Sequence, residues 1–243
     1  MLEICTKVLR LNMKNLPLLI GTIVGTVVLI VAIAFMSSSS VTTDQAGQTA
    51  DISVVLDGAR HLEKVMEEEV ATNSAEVVEQ ELITIVEFSD FQCPACKSSL
   101  PALQRVKDLY PELIQVSYRH FPLDSIHPNA RLAAIASEAA ASLDESKFWS
   151  FHDRLFEEQQ VWSDISSRTE LKEKFASYAV ELGLDKDQFL EKLEDDSVAE
   201  LVNKDVASGT KLGVNSTPTF YVNGLKVSAP QLLTAVESLL VHE

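Results

Sequence analysis

Glu87-Phe88-Ser89-Asp90-Phe91-Gln92-Cys93-Pro94-Ala95-Cys96-Lys97 follows the apolar segment Leu82 to Val86 and precedes a stretch of helical character. Two cysteines three apart at a strand-to-helix junction suggest a dithiol that cycles with a disulfide. Cys93 falls at the first turn of the expected helix, where free backbone N–H groups and the positive end of the macrodipole stabilise a thiolate. Cys96 lies one turn further in, within reach of a mixed disulfide formed on Cys93. Cys93 is therefore the candidate nucleophile and Cys96 the resolving thiol.

The flanks of this stretch set the architecture. Leu82-Ile83-Thr84-Ile85-Val86 is apolar on both faces and rich in β-branched residues, as a central strand covered on both sides requires, and Glu87 interrupts the run near its end. The helix that starts at the dithiol extends to about Tyr110 and is closed by Pro111. Leu113 to Tyr118 reads as a second strand running into Arg119-His120-Phe121-Pro122-Leu123. Together these form a βαβ unit with a right-handed crossover.

A long helical block follows. Asn129 to Leu143 is alanine-rich, and Phe148, Phe151, His152, Leu155, Phe156 and Gln159 recur at helical spacing. Ser167-x-x-Glu170 opens a helix that stops at Gly183, Asp185-x-x-Gln188 opens a short one, and another runs from about Val198 to Leu212. All-helical sequence between two strand regions predicts an inserted helical subdomain at about 126–212. Strand chemistry returns with Thr217-Pro218-Thr219-Phe220-Tyr221-Val222, the hairpin signal Asn223-Gly224, and Leu225-Lys226-Val227. A last helix from about Pro230 to Val241 makes the closing unit ββα.

Upstream, Leu16 to Phe35 carries no charge and matches the roughly 20 residues that cross a bilayer. Lys7, Arg10 and Lys14 precede it, so the positive-inside rule puts residues 1–15 in the cytoplasm, makes 16–36 a single-pass anchor in the cell membrane, and leaves the rest extracytoplasmic. Ala32-Ile33-Ala34 offers a competing cleaved-signal reading, although the apolar run is longer than a signal core of about 7–15 residues. Residues 37–80 are polar, acidic and serine-rich at their start and read as a linker, with one amphipathic piece from Leu56 to Val70 that contains His61. The catalytic domain is expected over residues 81–243.

A net charge of −16 argues against nucleic acid as a partner, because phosphate binding needs clustered Lys and Arg. At 243 residues and 46% hydrophobic content the chain has ample material for a packed core. Three cysteines, two of them in the C-x-x-C, exclude a scaffold of structural disulfides, and Cys5 reads as an idle thiol.

Four blocks in this order resemble the thioredoxin superfamily, and within it the membrane-anchored bacterial branch of the DsbA-type thiol:disulfide oxidoreductases. They are Val86 to Cys96; Phe121-Pro122-Leu123 with His127-Pro128-Asn129-Ala130; Lys147-Phe148-Trp149-x-Phe151-His152-Asp153; and Gly213-Val214-x-x-Thr217-Pro218-Thr219-Phe220-x-Val222-Asn223-Gly224. The resemblance implies a thioredoxin-like α/β fold and an enzyme that introduces disulfides into exported proteins bearing free thiols. It makes Pro218 the cis-proline beside the dithiol, with the Thr217 backbone free to pair with an extended substrate. Glu87 becomes a buried acid that assists proton transfer at Cys96, and Pro101 the kink proline of the active-site helix. It also implies a membrane redox partner that re-oxidises the dithiol, and no cofactor beyond the Cys93–Cys96 disulfide. Ala95 departs from the strongly oxidising members, which carry His there, whereas Pro94 suits an early helical position.

Three other readings use the same residues: a reductase or isomerase, a metal-binding module built on Cys93 and Cys96, and a redox-inert binding module. A structural zinc site wants four ligands, whereas the five histidines are scattered, and His120, His127 and His152 read as loop, cap or helix-packing residues.

Overall fold

The computed structural model describes residues 49–50, 55, 60–64 and 82–241. The expected cytoplasmic tail, the anchor at 16–36 and Cys5 lie outside these. Among the described residues no helix is long and apolar enough to cross a membrane.

A five-stranded mixed sheet forms the centre, with strands β1 (Leu62–Lys64), β2 (Ile83–Ser89), β3 (Ile114–His120), β4 (Thr219–Val222) and β5 (Leu225–Val227) in the order β1-β3-β2-β4-β5. β2 and β3 run parallel and are joined by helix α1 (Pro94–Leu109), while the other pairings are antiparallel. β2 is buried at every residue, as its run of branched apolar side chains demands. Both central strands outrun their expected ends. β2 continues through Glu87, Phe88 and Ser89, and β3 includes Arg119 and His120. These polar residues stay in the ladder because the helices supply partners: Arg119 meets Asp205 at 3.3 Å and His120 Nε2 meets Glu138 at 3.1 Å.

One sheet face is apolar over Ile83, Ile85, Ile114, Val116, Phe220 and Val222. It packs on Leu103 and Val106 of α1 and on Leu232 and Val236 of the last helix. The opposite face carries Val86, Phe88 and Tyr221 against Val214 and Phe121. Between β3 and β4 lie helices α2 (Ala130–Leu143), α3 (Phe148–Glu157), α4 (Gln159–Trp162), α5 (Arg168–Glu181), α6 (Lys186–Lys192) and α7 (Asp196–Lys211). Ser167 and Asp185 cap α5 and α6, their side chains accepting from the N–H groups of Glu170 and Gln188. The helical core centres on Phe151, Trp162, Phe175 and Tyr178 and extends without a break to Phe91, Cys93, Cys96 and Tyr118. Asn223 and Gly224 both have positive φ in the β4–β5 turn, and α8 (Leu232–Leu240) closes the chain.

The stretch expected as a polar linker is in part built into the fold. β1 adds antiparallel to β3, Thr49 bridges to Leu225 of β5, and Val55 is wholly buried among Val86, Phe88 and Tyr221. Charge complementarity draws this segment in. The Arg60 guanidinium reaches Glu138 at 2.7 Å and Asp205 at 3.0 Å, and His61 joins Glu138 at 3.1 Å and Glu145 at 2.7 Å. A polar composition hid these pairings, because their acidic partners lie more than seventy residues away.

Candidate active site

Cys93 is the N-cap of α1 and Pro94 its first residue, so the missing proline N–H falls where no intrahelical bond is lost. Cys96 is fully buried beneath, both thiols are free, and Pro94 and Ala95 stand exposed. Cys93 is only 6% exposed, because the Thr217 loop lies over it and its thiol donates to the Thr217 carbonyl at 3.6 Å. The Thr217–Pro218 peptide bond is cis, which brings this loop beside the dithiol although 124 residues separate Cys93 from Thr217.

The two thiols sit in opposed environments. Hydrogen bonding from Cys96 pulls the Cys93 thiol well below the ordinary range. The Thr217 hydroxyl and the backbone N–H groups of Cys96 and Ala95 add to this against the opposing effect of burial. Burial pushes Cys96 far up, reinforced by its bond to Cys93 and by the charge of Glu87. Glu87 lies on β2 beneath Cys96, and burial raises its carboxyl to about 7 despite the Ser89 hydroxyl. Of the residues expected at the site, Cys93, Cys96, Glu87, Thr217 and Pro218 come together here, and Pro94 and Ala95 lie exposed between the two cysteines.

A polar web fixes the loop before the dithiol. Asp90, 1% exposed, accepts from the backbone N–H groups of Gln92 (2.7 Å) and Leu123 (2.9 Å) and from His127 Nδ1 (2.7 Å). Gln159 Nε2 donates to the carbonyls of Phe91 (2.7 Å) and Cys93 (3.0 Å), and Gln92 Oε1 accepts from the Asn129 N–H (2.8 Å). The sequence reading assigned no role at the dithiol to Asp90, Gln159, Ser89 or Tyr118. Asp90 and Gln92 could have been suspected as polar residues inside an aromatic run, but nothing local marks Gln159.

Among the described residues one group offers clustered metal-ligand atoms, His120, Glu138 and Asp205 within 4.8 Å of one another. Arg60 bridges its two carboxylates and so supplies the positive charge a metal would bring. The two cysteines join no such group.

Residues 79–241 match the family described as Thioredoxin, which is most of the chain, and the chain belongs to that family. The fold is shared with BdbD from Bacillus subtilis, at TM-score 0.60 and 23% identity over 79% of this chain and 96% of that one. It is shared also with MdbA, a thiol-disulfide oxidoreductase from Corynebacterium diphtheriae, at TM-score 0.56 and 24% identity over 79% and 92% of the two chains. The mixed sheet and the free Cys93–Cys96 pair at the start of α1 thus belong to a member of the Thioredoxin family. A curated relative, the Na(+)/H(+) antiporter NhaA 3 of Salinispora tropica, is 36% identical over 161 residues, 65% of this chain and 23% of the antiporter. The chain thus spans about a quarter of the length of that relative, and ion transport is not carried over from it.

Proposed function

We propose that the protein introduces disulfides into exported proteins by exchange through Cys93 and Cys96, from a domain held outside the cytoplasm by the apolar segment 16–36. The observation that carries this reading is the asymmetry of the dithiol, with Cys93 at the helix N-terminus against the cis-Pro218 loop and Cys96 fully buried below it, an arrangement that favours the thiolate at Cys93 and the thiol at Cys96. A substrate thiolate attacks Cys93 of the disulfide, and Cys96 leaves. A second substrate thiol then displaces Cys93, which departs readily because its thiolate is stabilised. Thr217 and Pro218 offer the extended substrate its docking edge, and a membrane redox partner restores the disulfide.

The reductase direction has one observation in its favour: Ala95 brings no charge or hydrogen-bonding side chain to the Cys93 thiolate. Glutathione equilibration of the purified protein separates the two. A Cys93–Cys96 potential near DsbA's roughly −120 mV supports the oxidase, and one near thioredoxin's roughly −270 mV supports the reductase. Refolding of a reduced, disulfide-dependent substrate by the protein and by Cys93→Ser tests the nucleophile. Equal activity in the two would remove Cys93 from that role.

A further inference from the structure

Cys96 has no exposed surface, yet each exchange must deliver a proton to it or take one away. When a substrate thiolate attacks the disulfide, a bond forms between the substrate sulfur and Cys93 and the Cys93–Cys96 bond breaks. Cys96 leaves with the electron pair and is protonated in place. Glu87 is the proximal acid, and it too is sealed, at 1% exposure. The proton that Glu87 gives up has to be replaced from solvent by some route.

The sheet register lays one out. Glu87 and Ser89 project from the same face of β2, and Tyr118 and His120 of β3 stand beside them in the parallel pairing. Ser89 Oγ lies near enough to influence the Glu87 carboxyl, the Cys96 thiol and the Tyr118 phenol, yet closes a full hydrogen bond with none. Glu87 Oε1, Ser89 Oγ, Tyr118 Oη and His152 Nε2 are all buried and without a hydrogen-bond partner. Buried polar atoms are nearly always paired, so four in one connected patch call for a functional explanation. The His152 ring meets Tyr118 edge-on with centroids 4.8 Å apart, and its Nδ1 bonds Asp153 at 2.9 Å. Asp153 is 68% exposed, and with His152, Leu100 and Pro101 it lines a cavity of about 590 Å³ open to solvent.

We propose that Ser89, Tyr118 and His152 form a proton path that joins Cys96 and Glu87 to the solvent beside Asp153. This rests on the dithiol reading and assigns three further residues to it. In the oxidising direction Glu87 protonates the leaving Cys96 thiolate through Ser89, and the Glu87 carboxylate regains its proton through Tyr118 and His152. In the reverse direction the same proton travels outward. A neutral imidazole accepts at one nitrogen and donates at the other, and burial holds His152 in that form. The charged or titratable groups around this histidine are Asp153 on its own helix, Glu63 of β1, Lys107 of α1 and His120 of β3.

The test is the rate at which the oxidised protein reacts with reduced glutathione, followed by stopped flow across the range in which Glu87 titrates, in light and heavy water. Tyr118→Phe and His152→Phe keep the aromatic packing, and Ser89→Ala is paired with Ser89→Thr, which restores the hydroxyl. Tyr118→Phe, His152→Phe and Ser89→Ala are expected to slow the reaction roughly tenfold, part of the 10²–10⁴ that positioned proton transfer supplies. A larger solvent isotope effect, an unchanged Cys93 titration and recovery in Ser89→Thr are expected alongside. Combined with Glu87→Gln, Tyr118→Phe should add no further loss. Wild-type rates and pH profiles in Tyr118→Phe and His152→Phe, with Glu87→Gln slow, would overturn the path and leave the dithiol reading standing. Failure of the oxidised wild type to react with the thiol at all would overturn both.

Discussion

The Cys93 thiol and the Thr217 carbonyl are 3.6 Å apart, joined across two ends of the fold by the turn of a single cis peptide bond. The same loop holds the buried Thr217 hydroxyl, which closes no hydrogen bond with the thiol, near enough to favour the thiolate once it forms. The reduced protein should therefore titrate by ultraviolet thiolate absorbance well below the ordinary thiol value of about 8.5. Cys93→Ser should abolish that transition. Cys96→Ala and Thr217→Val should each move it upward, because each removes a donor to the thiolate.

Glu87 ties stability to pH. Its unperturbed value is 4.5, and in the fold it ionises at about 7. Between those values the native state holds a proton that the unfolded chain has released, so the Glu87 contribution to stability falls as pH rises through this window and levels off above it. Glu87→Gln should lack that slope and be more stable than wild type by about 3 kcal/mol above neutrality, with little difference in mild acid. Urea unfolding of the reduced proteins at several pH values measures it.

Removal of the Asp90 carboxylate strands two backbone N–H groups and the His127 ring. Asp90→Ala is expected to lose roughly 3 kcal/mol of stability and to slow exchange by loosening the loop that holds Cys93. Asp90→Asn, which keeps one acceptor oxygen, should fall between. Denaturant midpoints and the glutathione reaction rate report the two effects separately.

The buried cluster around Glu138 behaves in the opposite sense to Glu87. Burial disfavours its charge, but hydrogen bonds from His120 and His61 outweigh this and hold the carboxyl far below the usual range. The stability it lends is present above the unfolded carboxylate value and is lost as pH falls. Glu138→Ala leaves Arg60 with half its compensation and should cost about 3–5 kcal/mol near neutrality, a difference that shrinks in acid.

Gly209 lies in α7 against the rings of Phe121 and of Phe88 in β2. An added Cβ would stand 2.7 Å from Phe121 and 3.0 Å from Phe88. Gly209→Ala should destabilise by about 1–3 kcal/mol despite its better helix propensity, and Phe121→Leu should recover part of that in thermal melts.

The redox core was readable because its signals are local. The C-x-x-C, the branched strand before it, Asn223-Gly224 and the helix caps each act over a few residues, and each is found where its local chemistry puts it. The supporting shell was not readable, because it depends on partners brought together by the fold. Gln159 reaches back 68 residues to the Phe91 carbonyl, and Arg60 reaches 145 residues forward to Asp205. A polar segment that folds by pairing its charges with buried acids has the same composition as a stalk, and so residues 60–64 were read as linker. The early end assigned to β3 has the same origin, since Arg119 and His120 suit a strand only when Asp205 and Glu138 lie across from them.

That upstream segment adds to the sheet at both margins, with the three-residue β1 as the new edge strand on one side and a single bridge on the other. β1 occupies the free edge of β3, while the Thr49 bridge and the Ala50 N–H to Gly224 hydrogen bond occupy that of β5. Exposed edges are templates for intermolecular pairing. A protein shortened to begin at residue 81 would retain every catalytic group and yet present two open ladders to its neighbours. Its failure would be self-association, compounded by the buried Glu138 and Asp205 left without Arg60, rather than loss of a catalytic group.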